Sequence, residues 1–588
     1  NNVAVGLDSL QANTTGSSNT AIGQTALAAN ITGASNTAMG MCSLLANTTG
    51  DFNVALGHSA LLKNTTADSN TAIGLCAMVC NTTGGVNVAV GYEALEQNTT
   101  AFENTGVGYR ALKGNTTGCQ NASFGTCSTY TNSTGDANTG LGYKALFANT
   151  TADNNTAIGA NALDANTTGA CNVAVGVGAL GTNTTAANNA AIGYGALFAN
   201  TTGASNVAVG KDAMNANTTG ATNTAVGFSA MLVNTTGGEN TAIGDCTLAT
   251  QVAGGIGNTA LGYFAGRLNT AGDNLTAIGK NALCANTTGG LNTAVGSGAS
   301  IKNTTGCYNV AVGGNASACG TTGEQNTAVG YNANLKATTV AGNTAIGFLT
   351  LSCNVGATNT AVGASAMIAN TTGDKNTAVG NDALKANTTG GENVAVGKGA
   401  MLANTSAACN TAVGYLAGPA ITTGTDNVVI GRCGTPNLTT GAGNITIGDA
   451  GNVSTRLFNI VGQNNRFIAG HNNISNAYVK VDWTVTSDER DKMNFQEIPH
   501  GLDFVNQMKP VSFVFKKSRE DNTPHGHQKY GFKAQDILKL EGDNPIIINN
   551  EDTDNLKVTN SHMTPVLVKA IQELTEQNKE MKAEIEEL

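Results

Sequence analysis

The sequence predicts a mostly β protein: a parallel β-solenoid, or β-roll, of about 27 coils, followed by a small α+β domain ending in a coiled-coil helix. Three observations carry this. A glycine-anchored unit returns every 17 residues over 1–448, its short apolar segments are closed by Asn- and Gly-rich turns, and the composition changes abruptly after Gly448. The chain is therefore expected to divide into a repeat shaft (1–448), a neck or linker (449–483) and a C-terminal domain (484–588) whose last helix covers 565–588.

Anchored on the glycine of N-T-A-[VI]-G, the repeat runs Gly6, Gly23, Gly40, Gly57, Gly74 and Gly91 on to Gly448. It slips only twice, to 18 residues between Gly244 and Gly262 and to 16 between Gly347 and Gly363. Disordered low-complexity sequence has no reason to hold such a register, whereas stacked coils must. Each coil reads N-T-A-V-G-x-x-A-L-x-A-N-T-T-G-x-x. Gly, Asn and Thr interrupt any helical pattern before two turns are complete, so two short strands per coil are expected. Ile22, Val90 and Val209 supply β-propensity in the first, Ala21 fits a narrow interior, and Ala26 and Leu27 fill the second. The glycines at the first corner and in N-T-T-G are expected at positive φ. Asn19, Asn36, Asn53 and Asn70 are expected to stack into an amide ladder, broken once by Leu275.

Composition narrows the function. With 75 glycines and 12% charged residues among 588, the chain is unlike ordinary globular domains. A net charge of −10 without a basic stripe argues against nucleic acid as a partner. No run of 18 apolar residues occurs, so no membrane insertion is expected. The 13 cysteines form no CxxC pair, and Cys42, Cys76, Cys127, Cys246 and Cys433 each fall two residues after a repeat glycine. They read as small apolar fillers, and neither a metal nor another cofactor is implied. Asp51, Asp153 and Asp212 are scattered, so no acid/base pair is expected in the shaft. The N-T-T triplet reads first as a turn; it is also an N-glycosylation sequon and a regular threonine array suited to ice or another crystalline surface. The opening NNVAVG lies inside a repeat, as in a fragment or processed product.

So thin a coil buries little, and association of three chains is expected to supply the missing burial. The coils resemble the head repeats of trimeric autotransporter adhesins, which form left-handed parallel β-rolls, although those repeats are shorter than 17 residues. The resemblance implies a homotrimer.

Past the neck and its single tryptophan, Trp483, which reads as a core or interface anchor, come TSDERDKMNFQEI, GLDFVNQMKPVSFVFK (501–516), KYGFKAQDIL (529–538) and LVKAIQELTEQNKEM (567–581). A serine five residues before a lysine says little alone. In their order and spacing, these stretches of 484–588 resemble the peptidase S74 family, the self-cleaving intramolecular chaperone domain of phage and viral tailspikes and fibres. The resemblance implies single-turnover autoproteolysis by an S-D-x-R-x-K motif, with Ser487 as nucleophile, Lys492 as general base, and Asp488 and Arg490 in support. Lys492 must be neutral to accept a proton, which burial or the positive charge of Arg490 would favour. A spacing of five does not superpose two side chains on a helix, so a turn or strand end is expected. The cut is expected beside Ser487, Thr486–Ser487 being favoured over Ser487–Asp488. The aromatic residue that often precedes the family's final helix has no obvious counterpart in LKVTNSHMTP (556–565).

In the tail, Leu567, Ile571, Leu574, Asn578, Met581, Ile585 and Leu588 alternate steps of four and three, a coiled-coil seam for trimerisation. Asn578 at a core position costs stability and fixes register. Register matters because many near-identical coils can pair in many alignments, which a non-repetitive clamp resolves.

The expected function is a trimeric fibre or adhesin shaft, on a virion or at an extracellular surface, that meets an unidentified cell-surface receptor or glycan. Its terminal chaperone aligns three chains and is then cut away. The alternative is an extracellular structural or ice- or surface-binding filament that keeps the terminal domain for assembly alone. A carbohydrate-degrading tailspike would need carboxylates clustered across subunits.

Overall fold

The computed structural model describes residues 1–252, 254–448, 460–470, 474, 478, 480, 487–516, 519, 521–551, 553–554 and 556–588. Two compact units, 1–359 and 360–588, are described separately.

In the first unit, 21 three-residue strands recur, β1 (Val3–Val5) to β21 (Thr344–Ile346). Each pairs in parallel with the next coil's strand in unbroken register: Thr20 with Thr37, Ala21 with Ala38, Ile22 with Met39. Because side chains alternate across a strand, the middle residue points inward and its neighbours outward. Ala21, Ala38, Ala55 and Ala72 are accordingly buried, whereas Ile22, Met39 and Leu56 are partly exposed. Leu27, Leu44, Leu61, Met78 and Leu95 complete a narrow core with alanines.

The expected second strand is absent: residues 24–29 form a run of turns. Thr25 and Leu27 sit in the left-handed region, at φ 56° and 50°, as does Ser35 at 57°, and equivalent residues do so in coil after coil. A left-handed L-residue costs about 1–2 kcal/mol. Here the conformation aims amides at both neighbouring coils. Thr25 N–H donates to Leu7 O at 2.8 Å and Leu27 N–H to Ser43 O at 3.0 Å. An unmade buried backbone bond costs about as much as the strain, so inter-coil bonding wins over local propensity.

The two glycine positions differ. Gly23 has φ 134°, and a Cβ there would lie 2.5 Å from Gly40 O, so both conformation and space demand glycine. Gly33, at the N-T-T-G position of its coil (here N-I-T-G), is not left-handed, contrary to expectation. Its constraint is space, since a Cβ would approach Asn30 Oδ1 to 2.4 Å. Ala67 and Ala101 occupy this place in other coils and are buried there.

Two asparagine ladders run through the coils. The expected one forms, though chiefly through the backbone: Asn36 N–H donates to Asn19 Oδ1 at 2.9 Å, and Asn53 N–H to Asn36 Oδ1 at 2.9 Å. The amide-to-amide ladder belongs to the N-T-T asparagines, where Asn47 Nδ2 donates to Asn30 Oδ1 at 2.8 Å and Asn64 Nδ2 to Asn47 Oδ1 at 2.9 Å. At Leu275 the first ladder loses its side chain, while Leu275 N–H still donates to Asn258 Oδ1 at 2.9 Å.

In the second unit, β22 (Thr360–Val362) to β27 (Ile445–Ile447) repeat this pairing. One further strand, β28 (Phe467–Ala469), stacks in parallel on β27, within the segment read from the sequence as a neck. Trp483 lies outside the described residues. Then follow α1 (Leu502–Gln507), an antiparallel pair β29 (Val511–Lys516) and β30 (Pro524–Gly531), α2 (Ala534–Glu541), the short pair β31 (Ile548–Asn549) and β32 (Lys557–Val558), and α3 (Asn560–Glu587). The last helix begins five residues earlier than expected and carries Pro565 inside it. Phe504, Ile537, Ile547, Ile548, Met563 and Val566 form this domain's core. Arg466, beside β28, pairs with Glu551.

Candidate functional site

Ser487 and Lys492 flank a single 3-10 turn, Glu489–Asp491. Asp488 caps it, accepting the Arg490 backbone N–H at 2.9 Å. The turn shortens the path between residues five apart, and Lys492 Nζ donates to Ser487 Oγ at 2.6 Å. The expected turn is thus what brings the two together.

The Arg490 guanidinium grips Asp488, with Nε 3.0 Å from Oδ1 and Nη2 2.5 Å from Oδ2. The Arg490 side chain and backbone N–H hold the Asp488 carboxyl below its ordinary value. Ser487, Arg490 and Lys492 are exposed. Thr486, and with it the Thr486–Ser487 bond, lies outside the described residues.

Six of the seven tail residues lie on α3, and Leu588 directly follows its last residue. Leu567, Ile571, Leu574, Met581, Ile585 and Leu588 are all exposed in the single chain, while Met563, Val566 and Ala570 pack inward. Asn578 Nδ2 donates to Leu574 O at 2.9 Å, one turn earlier.

Sequence reasoning missed Lys569 and Glu573, on α3. Glu573 Oε2 accepts Leu502 N–H at 2.6 Å, at the start of α1, and Lys569 Nζ donates to Ile498 O. The only sequence signal is their i, i+4 spacing, which is common on any helix.

On the coils, the first threonine of each triplet is engaged: Thr48 Oγ1 donates to Thr65 O at 3.1 Å. The second threonine is exposed, as at Thr49, Thr66 and Thr83. Glu93 is held by Arg110 at 2.8 Å and Lys113 at 2.6 Å, the geometry of an ion-pair cluster. No cysteine among the described residues is in a disulfide. No described helix is long and apolar enough to cross a membrane.

A parallel solenoid carrying a small α+β domain with a Ser-Lys turn and a solvent-facing helical seam defines the class of protein. Comparison gives the particular relatives. Residues 487–543 match the Peptidase S74 family model, described as chaperone of endosialidase, which bears out for that segment the resemblance drawn from its motifs. Over 114 residues the chain is 32% identical to the long tail fiber protein Gp37 of Enterobacteria phage Ox2. That stretch is 19% of this chain and spans 43% of the curated relative's length.

Proposed function

We propose that the chain is the shaft of a homotrimeric virion fibre of adhesin type, matured by self-cleavage beside Ser487. The contact of 2.6 Å between Lys492 Nζ and Ser487 Oγ, inside the family-matched segment, carries this reading.

The chemistry needs no cofactor. Ser487 Oγ attacks the Thr486 carbonyl carbon while neutral Lys492 accepts the hydroxyl proton. The Thr486–Ser487 C–N bond breaks as the ester C–O bond forms, and Lys492 passes its proton to the departing amine. Water then hydrolyses the ester. Lys492 is exposed among the described residues, and burial against neighbouring chains on assembly would favour its neutral form, with the cut following assembly.

Two apolar surfaces support a trimer. One is the α3 seam from Leu567 to Leu588. The other is the outward stripe of successive strands, with Ile22, Met39 and Leu56 continued by Phe124, Leu141 and Ile158. Soluble monomers rarely leave apolar patches beyond a few hundred Å² uncovered, roughly, and this stripe recurs coil upon coil. The partner such a fibre would meet is a cell-surface receptor or glycan.

The rank of exposed second threonines favours one alternative, a filament that binds ice or a crystalline surface. Thermal hysteresis of the purified shaft would distinguish it. For the main reading, wild-type and Ser487→Ala chains are compared by mass under native and denaturing conditions. Trimers of wild type that stay uncut remove the self-cleavage; a full-length monomer removes the trimer.

A further inference from the structure

Two contacts tie the segment after the Ser-Lys turn to the helix that bears the seam. Lys569 Nζ donates to Ile498 O, and Glu573 Oε2 accepts Leu502 N–H at 2.6 Å. The two side chains approach each other to 3.7 Å, one turn apart on α3. Each reaches 71 residues back along the chain, to positions only six and ten residues beyond Lys492. Gly501 leaves room for this: a Cβ there would lie 2.3 Å from both Glu573 carboxylate oxygens. Leu502 opens α1, where an unpaired N–H would otherwise face the carboxylate, so the contact is also a helix cap.

We propose that Glu573 and Lys569 are positioning residues for the cut. They clamp residues 498–502 onto α3, so that ordering of the seam fixes the anchor from which the Ser487–Lys492 turn is held. The proposal rests on the self-cleavage reading above. Neither residue touches the reacting atoms. Their effect is on how often Lys492 and Ser487 meet in attacking geometry, a quantity to which rates respond steeply.

The test uses full-length chains of wild type, Glu573→Ala, Glu573→Gln, Lys569→Met and Gly501→Ala. Native mass gives the trimer, and denaturing mass gives the cleaved fraction against time. Glu573→Ala, Lys569→Met and Gly501→Ala trimers are expected to cut on the order of ten-fold more slowly or worse. Glu573→Gln keeps an acceptor oxygen for Leu502 N–H and is expected to cut within about three-fold of wild type. Glu573→Ala trimers cutting at the wild-type rate, or Glu573→Gln as slow as Glu573→Ala, overturn the proposal while leaving self-cleavage intact. Should Glu573→Ala not assemble, Gly501→Ala, which retains Glu573 and displaces its carboxylate from the other side, decides by the same rates. Wild-type trimers that never cut remove both ideas together.

Discussion

Asn47 donates its side-chain amide to Asn30 Oδ1 at 2.8 Å and accepts that of Asn64 at 2.9 Å. Both partners lie 17 residues away, and all three side chains are fully buried. The same asparagines are the acceptors of N-x-T sequons, so the atom a glycan would occupy is already a hydrogen-bond donor inside the coil stack.

Glycan and coil are therefore mutually exclusive. When the chain is made in a eukaryotic secretory host, the folded shaft is expected to carry no glycan on Asn47 or Asn64, and any modified chains to be confined to the misfolded fraction. Peptide mass mapping of the two fractions checks this; a folded shaft glycosylated at Asn47 would contradict it. Asn47→Ala strips the acceptor from Asn64 Nδ2 and is expected to cost about 1–3 kcal/mol locally, read as faster hydrogen exchange in the flanking coils.

Asn334 marks a weak point. It occupies the place that Leu27 holds in its own coil, is fully buried, and neither Oδ1 nor Nδ2 has a partner among the described residues. Its neighbours in the same rank, Ser300 and Ser317, are also buried and polar. Asn334→Leu is expected to slow hydrogen exchange there, by removing an unpaired buried amide worth about 1–3 kcal/mol. Unchanged or faster exchange would show that the amide is satisfied by other means.

The Asp488–Arg490 pair gives the turn a pH dependence. Arg490 holds the folded carboxyl below its ordinary value of 3.8. A depressed carboxyl contributes stability that is present above the unfolded value and lost as pH falls through the folded one. The turn is thus expected to loosen only in strong acid, and cleavage near neutral pH to be insensitive to this group's titration. Asp488→Ala should slow cleavage at every pH, whereas a new acid limb near neutrality in wild type would point to a different titrating group.

The α3 seam is open to mutation without disturbing the domain core, because Ile571 and Leu574 are exposed while Val566 and Ala570 pack inward. Ile571→Asp or Leu574→Asp is expected to yield monomers by native mass with the domain still folded by circular dichroism. Asn578→Leu should preserve association and loosen its alignment, seen as mixed oligomers or staggered crosslinks. Trimers that survive Ile571→Asp would place the interface elsewhere.

Much of the shaft was legible because its constraints recur. Gly23 needs both an unusual φ and the absence of a Cβ, and a requirement repeated in every coil is visible as a period. The turn run at Thr25 and Leu27 was not legible, since leucine has no local preference for a left-handed backbone and only its bond to Ser43 in the next coil explains it. The strand Phe467–Ala469 escaped because it follows Gly448 by a longer interval and lacks the N-T-A-V-G signature, with Arg466 N–H meeting Asn444 Oδ1 where an asparagine's usually does. In the terminal domain, Ser487 and Lys492 could be found from a motif, and the 3-10 turn from the inadequacy of helical spacing. The direction taken by Arg490, and the long-range clasp of Glu573 on Leu502, depend on tertiary placement.

Within each unit the backbone bonds from coil to coil run along the stacking direction, beside a narrow apolar core that spans the coils. A tensile load on that axis therefore meets them one layer at a time, like a thread drawn from a spool. Each released layer of 17 residues frees roughly 55 Å of contour and forfeits about 5 Å of stacked rise. Pulled along the stacking direction, the coils of a unit are expected to lengthen in a regular sawtooth of about 50 Å steps, acting as a shock absorber under sudden drag.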